Sequence, residues 1–253
     1  PDQGVTSGDI YIDRYAINPN NIPEGSYAYF VLIHELGHAL GLQHTWDAFG
    51  LSTYDSDPIN TEQFSVMAYN TSPWGGRYAE SFMLYDIAAL QQVYGANTSY
   101  NSGDTTYLLE NQAAETLWDG GGTDTLDGSH LNNNITLDLR DASFSSIGHT
   151  NNFAIAYNTT IENANGGSGD DTIRGNESDN VINGNGGSDT FYGTLGNDTL
   201  DGGDGSDSIE YSFDLSDFLV SLIDSVSLSI EHITQGFVDV LHNIETFIFN
   251  GIS

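Results

Sequence analysis

The strongest chemical signal in this sequence is the stretch HELGHALGLQH, which carries His34, Glu35, His38 and His44. On a helix, His34 and His38 lie four apart on one face, so both imidazoles can reach one ion at ~2.0–2.1 Å. Gly41 lets the chain leave the helix sharply, and His44 can then return as a third ligand. Three protein ligands leave a fourth position open for water, the pattern of a catalytic rather than a structural zinc. Zinc lowers the pKa of such a water toward ~7 and polarises a carbonyl. Glu35 sits beside the first ligand without being one. It has the chemistry of a general base that takes the proton of the water and returns it to a leaving amine. The bland alternative is an accidental HExxH on a surface helix. Three His, one Glu and one Gly at fixed positions on an otherwise apolar helix argue against accident.

A second signal is periodic. From Gly166 the chain divides into five nonapeptides, GGSGDDTIR, GNESDNVIN, GNGGSDTFY, GTLGNDTLD and GGDGSDSIE, ending at Glu210. Each opens on Gly and has Asp or Asn sixth and a bulky apolar residue eighth: Ile173, Ile182, Phe191, Leu200 and Ile209. The glycines permit a tight turn, the sixth residue aims an oxygen into it, and backbone carbonyls add hard ligands, which suits calcium. The apolar residue points inward from a three-residue strand, and stacked turns make a parallel β-roll. The expected ligands are Gly167, Gly169, Asp171, Asn180, Gly184, Gly186, Asp189, Asp198, Gly203, Gly205 and Asp207. A flexible Gly/Asn linker would explain the composition but not five repeats in phase.

These groups need elements to hold them. Apolar spacing predicts a helix over Tyr27 to Leu42 and a second over Phe82 to Tyr94, with Asp86 in its first part and Gly95 after its end. Asp9 to Asp13 alternates like a short strand. After about residue 98 the helical period disappears, and short strand-like runs follow, such as Asn134 to Leu139 and Phe153 to Tyr157. His130, His149, His232 and His242 have no ligand spacing and read as structural or surface residues.

The charge balance is lopsided, with 36 acidic residues against four arginines, no lysine, and a net charge of −32. That excludes a basic nucleic-acid footprint and argues against an anionic membrane surface as partner. So acidic a chain repels itself when compact unless cations neutralise it. There is no cysteine, so neither disulfides nor thiol catalysis are available. No run is long and apolar enough for a transmembrane helix, and PDQGVTSGDIYID is not a signal peptide.

In combination these motifs resemble the serralysins, RTX-bearing metalloproteases of the metzincin clan. The resemblance runs through HELGHALGL, QFSVMAY, DIAALQQVYGAN, GDTTY, WDGGGTDTLD, TIENANGGSGDDTI and the nonapeptides, in family order. It implies a Met-turn at Met67 beneath one catalytic zinc. It further implies that Tyr69 binds that zinc at rest and stabilises the oxyanion during reaction. In the family alternate repeats stack, which pairs Asp171 with Asp189, Asp189 with Asp207, and Asn180 with Asp198. The Asn180 site, lacking one charge, is expected to be the weakest, with Asp179 beside it. Two more calcium sites are carried over: Asn101, Gly103 and Thr105 with Asp119, Gly121 and Asp124; and Gly122 and Asp124 with Thr160 and Glu162. Thr45 departs from the proline that usually follows the third histidine.

The resulting expectation is an α+β chain. A truncated metzincin zinc-protease portion at 1–98 is followed by an all-β calcium-binding parallel β-roll at 99–253, with repeats at 166–210. Only 33 residues precede His34, where the family carries most of a substrate-binding sheet; one strand of it is expected near Ile10 to Ile12. The ending FIFNGIS does not resemble the family's type I export signal. The implied function is a secreted zinc endopeptidase acting on protein or peptide substrates, monomeric, with a proteinaceous inhibitor as a further partner. The alternative is a non-catalytic calcium-binding RTX module, or a protease fragment without a complete cleft.

Overall fold

A computed structural model describes residues 22–45, 59–70 and 74–250. The strand expected near Ile10 to Ile12 lies outside the described residues. Among the described residues, two α-helices lie ahead of sixteen short strands, with a 3-10 turn at Leu215–Asp217, so the described chain is mostly β.

Helix α1 spans Tyr27–Ala39. The Ser26 hydroxyl accepts from the Tyr29 N–H at 3.2 Å and caps its start. Its buried residues are Phe30, Ile33, His34 and Gly37, one face at helical spacing, whereas Glu35 is exposed. The helix ends three residues earlier than the apolar run suggests. Leu42 N–H donates to Gly37 O (2.9 Å) and Gly41 N–H to His38 O (3.0 Å), with Gly41 at φ +91°. This Schellman ending closes the orphan carbonyls and reverses the chain, so Leu40 and Leu42 belong to the turn. Helix α2 spans Leu84–Tyr94, and Gly95 follows it at φ +82°.

The helices and the loop between them share a small core of Phe30, Ile33, Val66, Met67, Trp74, Ala79 and Met83, completed by Ala114 from the β region. Glu80 N–H donates to Ala114 O (2.7 Å), Thr116 N–H to the Ser81 hydroxyl (2.9 Å), and the Trp74 indole to Thr150 O (3.0 Å). The helical part is thus pinned to the start of the β part.

The strands form two eight-stranded sheets. One runs β1 (Thr106–Leu108), β3 (Thr125–Asp127), β7 (Asn163–Asn165), β9 (Val181–Asn183), β11 (Thr199–Asp201), β15 (Val238–His242), β14 (Ser227–His232), β13 (Phe218–Leu222). The other runs β16 (Thr246–Phe249), β12 (Ser208–Tyr211), β10 (Thr190–Tyr192), β8 (Thr172–Arg174), β4 (Ile135–Asp138), β5 (Phe144–Ile147), β6 (Phe153–Ile155), β2 (Glu115–Leu117). Successive repeats fall in opposite sheets and alternate repeats pair in parallel, as in Ile173↔Phe191↔Ile209 and Ala164↔Ile182↔Leu200. The eighth residue of every repeat is at most 2% exposed and faces the shared core between the sheets. Beyond the repeats the roll closes with antiparallel pairing of β13, β14 and β15.

Candidate metal centres

Helix α1 presents His34 and His38 on the same side, and the Schellman turn returns His44 to them. One ligand atom from each lies within 4.8 Å of the other two. His38 Nε2 is 3.0 Å from His44 Nε2, and the Tyr69 hydroxyl is 3.1 Å from the same atom. His34 Nδ1 is 2.7 Å from Val66 O and His38 Nδ1 is 3.0 Å from Leu42 O. Carbonyls only accept, so both Nδ1 atoms carry the proton and both Nε2 atoms present lone pairs to the centre. Ligands on a tetrahedral ion at ~2.1 Å stand roughly 3.4 Å apart, so this triad fits zinc. Burial and the neighbouring His38 lower the His34 pKa, which keeps the imidazole in the neutral, ligating form; the Val66 hydrogen bond opposes them.

Beneath the triad lies Met67, 1% exposed. A Cβ on Gly37 would meet Met67 Sδ at 2.5 Å, so the methionine side chain packs directly on the helix at this glycine and would have to shift for any larger residue. Asp86 holds this loop. Its carboxylate accepts from Val66 N (2.8 Å), from the Ser65 hydroxyl (2.5 Å) and from Met83 N at the start of α2 (2.9 Å). Burial pushes its carboxyl up to about 6, against the three hydrogen bonds. The chain of contacts is therefore Asp86 to Val66 N–H, and Val66 carbonyl to His34. Thr45, in place of the family's proline, uses the N–H that proline lacks: it donates to Met67 O at 3.4 Å, and its hydroxyl donates to Asn60. Spacing within the zinc motif identified neither Gly37 nor Asp86 as part of this support, because their partners come from the loop near residue 66.

In the roll, the sixth residue of each repeat reaches the repeat two turns away. Asp189 Oδ1 accepts from Asp171 N and Asp207 Oδ1 from Asp189 N, both at 2.7 Å, and Asp198 Oδ1 accepts from Asn180 N at 2.9 Å. Asp171, Asp189, Asp198 and Asp207 are at most 2% exposed, and Oδ2 of Asp189 and of Asp207 has no hydrogen-bond partner. Asp189 and Asp198 are pushed up to about 7, by burial first and neighbouring Asp charges next; Asp171 and Asp207 move the same way. Buried, orphaned and mutually repelling carboxylate oxygens are what a bound cation relieves. The opening glycines complete the cradle: a Cβ on Gly184 would strike Asp189 Oδ2, and one on Gly166 would meet Asp171 Oδ2 at 2.6 Å. Gly167 N–H donates to Asp171 Oδ2 at 2.6 Å. A Cβ on Gly169 would meet Asn133 C at 2.6 Å, and Gly186 bridges to Asp204. Gly203 (φ +91°) and Gly205 (φ +154°) take backbone conformations closed to most side chains.

Asn180 differs. Its Oδ1 accepts from Asn176 N, and its Nδ2 donates to Glu162 O (3.0 Å), a carbonyl a cation would otherwise use. Asn176 and Glu162 thus satisfy both ends of this amide. Asp179 is occupied by Asn197 N (2.8 Å) and Nδ2 (3.0 Å).

The two carried-over sites cluster as well. Thr105 N donates to Asp124 Oδ1, Asp124 N to Glu162 Oε2 (both 2.8 Å), and Gly121 N to Asp119 Oδ1 (2.6 Å). Gly103 O accepts from the Thr105 hydroxyl, and Gly122 packs on Gly103. Asp124 Oδ2 is buried without a partner. Tyr107, which ends the GDTTY stretch but has no expected role there, joins Asn101 to Asp119: its hydroxyl accepts from Asn101 Nδ2 and donates to Asp119 Oδ2. Thr160 lies exposed two residues before Glu162. Both carboxylate ladders also run further than the repeats. Asp198 N reaches Asp239 Oδ1 (3.0 Å) and Asp207 N reaches Glu245 Oε2 (2.7 Å), contacts 41 and 38 residues apart that no nonapeptide marks.

The family model described as Peptidase M10 serralysin C terminal matches residues 85–252. Similar curated proteins include metallopeptidase AprA of Pseudomonas marginalis (38% identical over 203 residues), serralysin of Proteus mirabilis (36% over 200) and serralysin A of Dickeya chrysanthemi (38% over 196). Each alignment covers 68% of this chain. The chain spans about two fifths of the length of these relatives, 43%, 40% and 41% respectively. The chain belongs to the serralysin family of M10 peptidases, by way of that family's C-terminal domain.

Proposed function

We propose that this chain is the zinc-binding and calcium-binding part of a secreted endopeptidase. The observation that carries the reading is the convergence of His34, His38 and His44 within 4.8 Å, with two ring Nδ1 protons committed to backbone carbonyls. Zinc held at these imidazoles supplies a Lewis acid for a scissile carbonyl and for water. Glu35, exposed beside His34, takes the proton of the attacking water and delivers it to the departing amine. The Tyr69 hydroxyl, 3.1 Å from His44 Nε2 and 56% exposed, would be a further ligand at rest and a donor to the oxyanion during reaction; its nearness to His44 supports that role. The Asp171, Asp189, Asp207 and Asp198 turns and the Asp119, Asp124 and Glu162 turns would hold calcium, which would neutralise the buried carboxylates of the roll. Among the described residues no helix is long and apolar enough to cross a membrane.

The metzincin reading is supported by HELGHALGLQH followed by Met67, which packs on Gly37 of the same helix. His38→Ala in the calcium-loaded chain is expected to remove both stoichiometric zinc and casein cleavage. Cleavage retained without zinc would overturn the reading. Zinc bound to the parent chain with no cleavage by it would favour a non-catalytic calcium-binding module.

A further inference from the structure

Among the described residues, strand β13 is the last strand of its sheet and pairs on one side only, with β14. Ile233 N bonds Asp217 O and Ile223 N bonds Ser227 O, which fixes the alternation of the antiparallel ladder. Leu219 and Ser221 therefore direct their backbone groups toward β14, and Val220 and Leu222 direct theirs outward. Leu219, Val220, Leu222, Ile223 and Val226 are 51–74% exposed. The run FLVSLI has no Pro, no charge and no bulge, the usual protections of a sheet edge. Acidic residues surround it: Asp217 precedes the strand, Asp224 follows it, and Glu231 lies opposite Leu219. No Lys or Arg occurs after Arg174.

We infer that the β13 edge receives an extended polypeptide whose apolar residues alternate with basic ones. Main-chain bonds to Val220 and Leu222 would hold it, apolar side chains would cover the exposed row, and its cations would meet the acidic rim. A second copy of this chain is disfavoured as occupant, since it brings the same acidic rim and a net charge of −32. The inference is independent of the peptidase reading.

The probe is a fluorescent peptide, Lys-Val-Thr-Val-Lys-Val-Lys, titrated in calcium against the Glu35→Ala chain so that it survives. Saturable binding is expected, weakened severalfold between about 50 and about 500 mM salt. The counterpart with Glu for each Lys should not bind. Val220→Pro removes only an outward N–H, leaves the β14 ladder intact and should fold, yet should weaken binding at least about tenfold. Equal binding by Val220→Pro, or by the acidic peptide, overturns the proposal. So does concentration-dependent dimerisation in sedimentation that Val220→Pro abolishes, which would make a second copy the occupant.

Discussion

Asp86 is the residue on which the zinc loop turns, because a single carboxylate accepts from Ser65, Val66 and Met83. Asp86→Asn replaces one acceptor oxygen with a donor facing an N–H or hydroxyl. The Val66 carbonyl that orients His34 then loses its support. Zinc affinity is expected to fall ~10–100-fold, the range for altered groups behind a metal ligand, measured by competition with a chromogenic chelator. Unchanged affinity would show that Val66 is held by packing alone. The three histidines were legible in sequence because their spacing is local to one helix and one turn. Asp86 was legible only as a helix-dipole partner, since its other two contacts depend on how the chain folds back.

At the scale of elements, strand β2 carries the charge that opposes docking of the helical part. Burial first, then the charges of Glu80, Glu110 and Glu24, push Glu115 up to about 7. Its ordinary pKa is 4.5, so the fold disfavours the ionised form. That penalty is absent well below pH ~4.5, builds between pH ~4.5 and about 7, and is full above about 7. Glu115→Gln should therefore stabilise the calcium-loaded chain at pH 8 by roughly 1–3 kcal/mol and by far less at pH 4.5, read as a difference in thermal midpoint. An equal gain at both pH values would contradict this origin. The repeats made the roll strands legible, because each nine-residue unit fixes its own turn and inward residue. The closing strands β13–β15 have no such period, and neither the edge position of β13 nor the roles of Asp239 and Glu245 could be read from spacing. His232 shows the same limit: it is 2% exposed, and its ring packs 4.4 Å from Phe213 and 4.8 Å from Phe218. Sequence offered for it only the absence of a ligand pattern.

For the whole molecule, a net charge of −32 sets the long-range repulsion, and the roll adds a local part of it by burying Asp119, Asp124, Asp171, Asp189, Asp198, Asp207 and Asp239. Short strands with one inward side chain each bury little, so the fold is expected to depend on cations that neutralise these carboxylates. Chelating calcium should abolish most of the strand signal in far-ultraviolet circular dichroism, and adding calcium back should restore it; a signal indifferent to chelation would contradict calcium-dependent folding. The overall plan, helices first and roll second, was legible from the change in composition near residue 98. The seam was not, because Ala114 completes the helical core and only packing reveals it. The most direct measurement is turnover of an unstructured polypeptide by the zinc- and calcium-loaded chain and by its Glu35→Ala variant, with zinc content determined in both. The expected result is cleavage by the parent and a loss of ~10²–10⁴-fold in the variant at unchanged zinc stoichiometry. Equal turnover by both would contradict Glu35 as the base, and no turnover by either with zinc bound would contradict a peptidase.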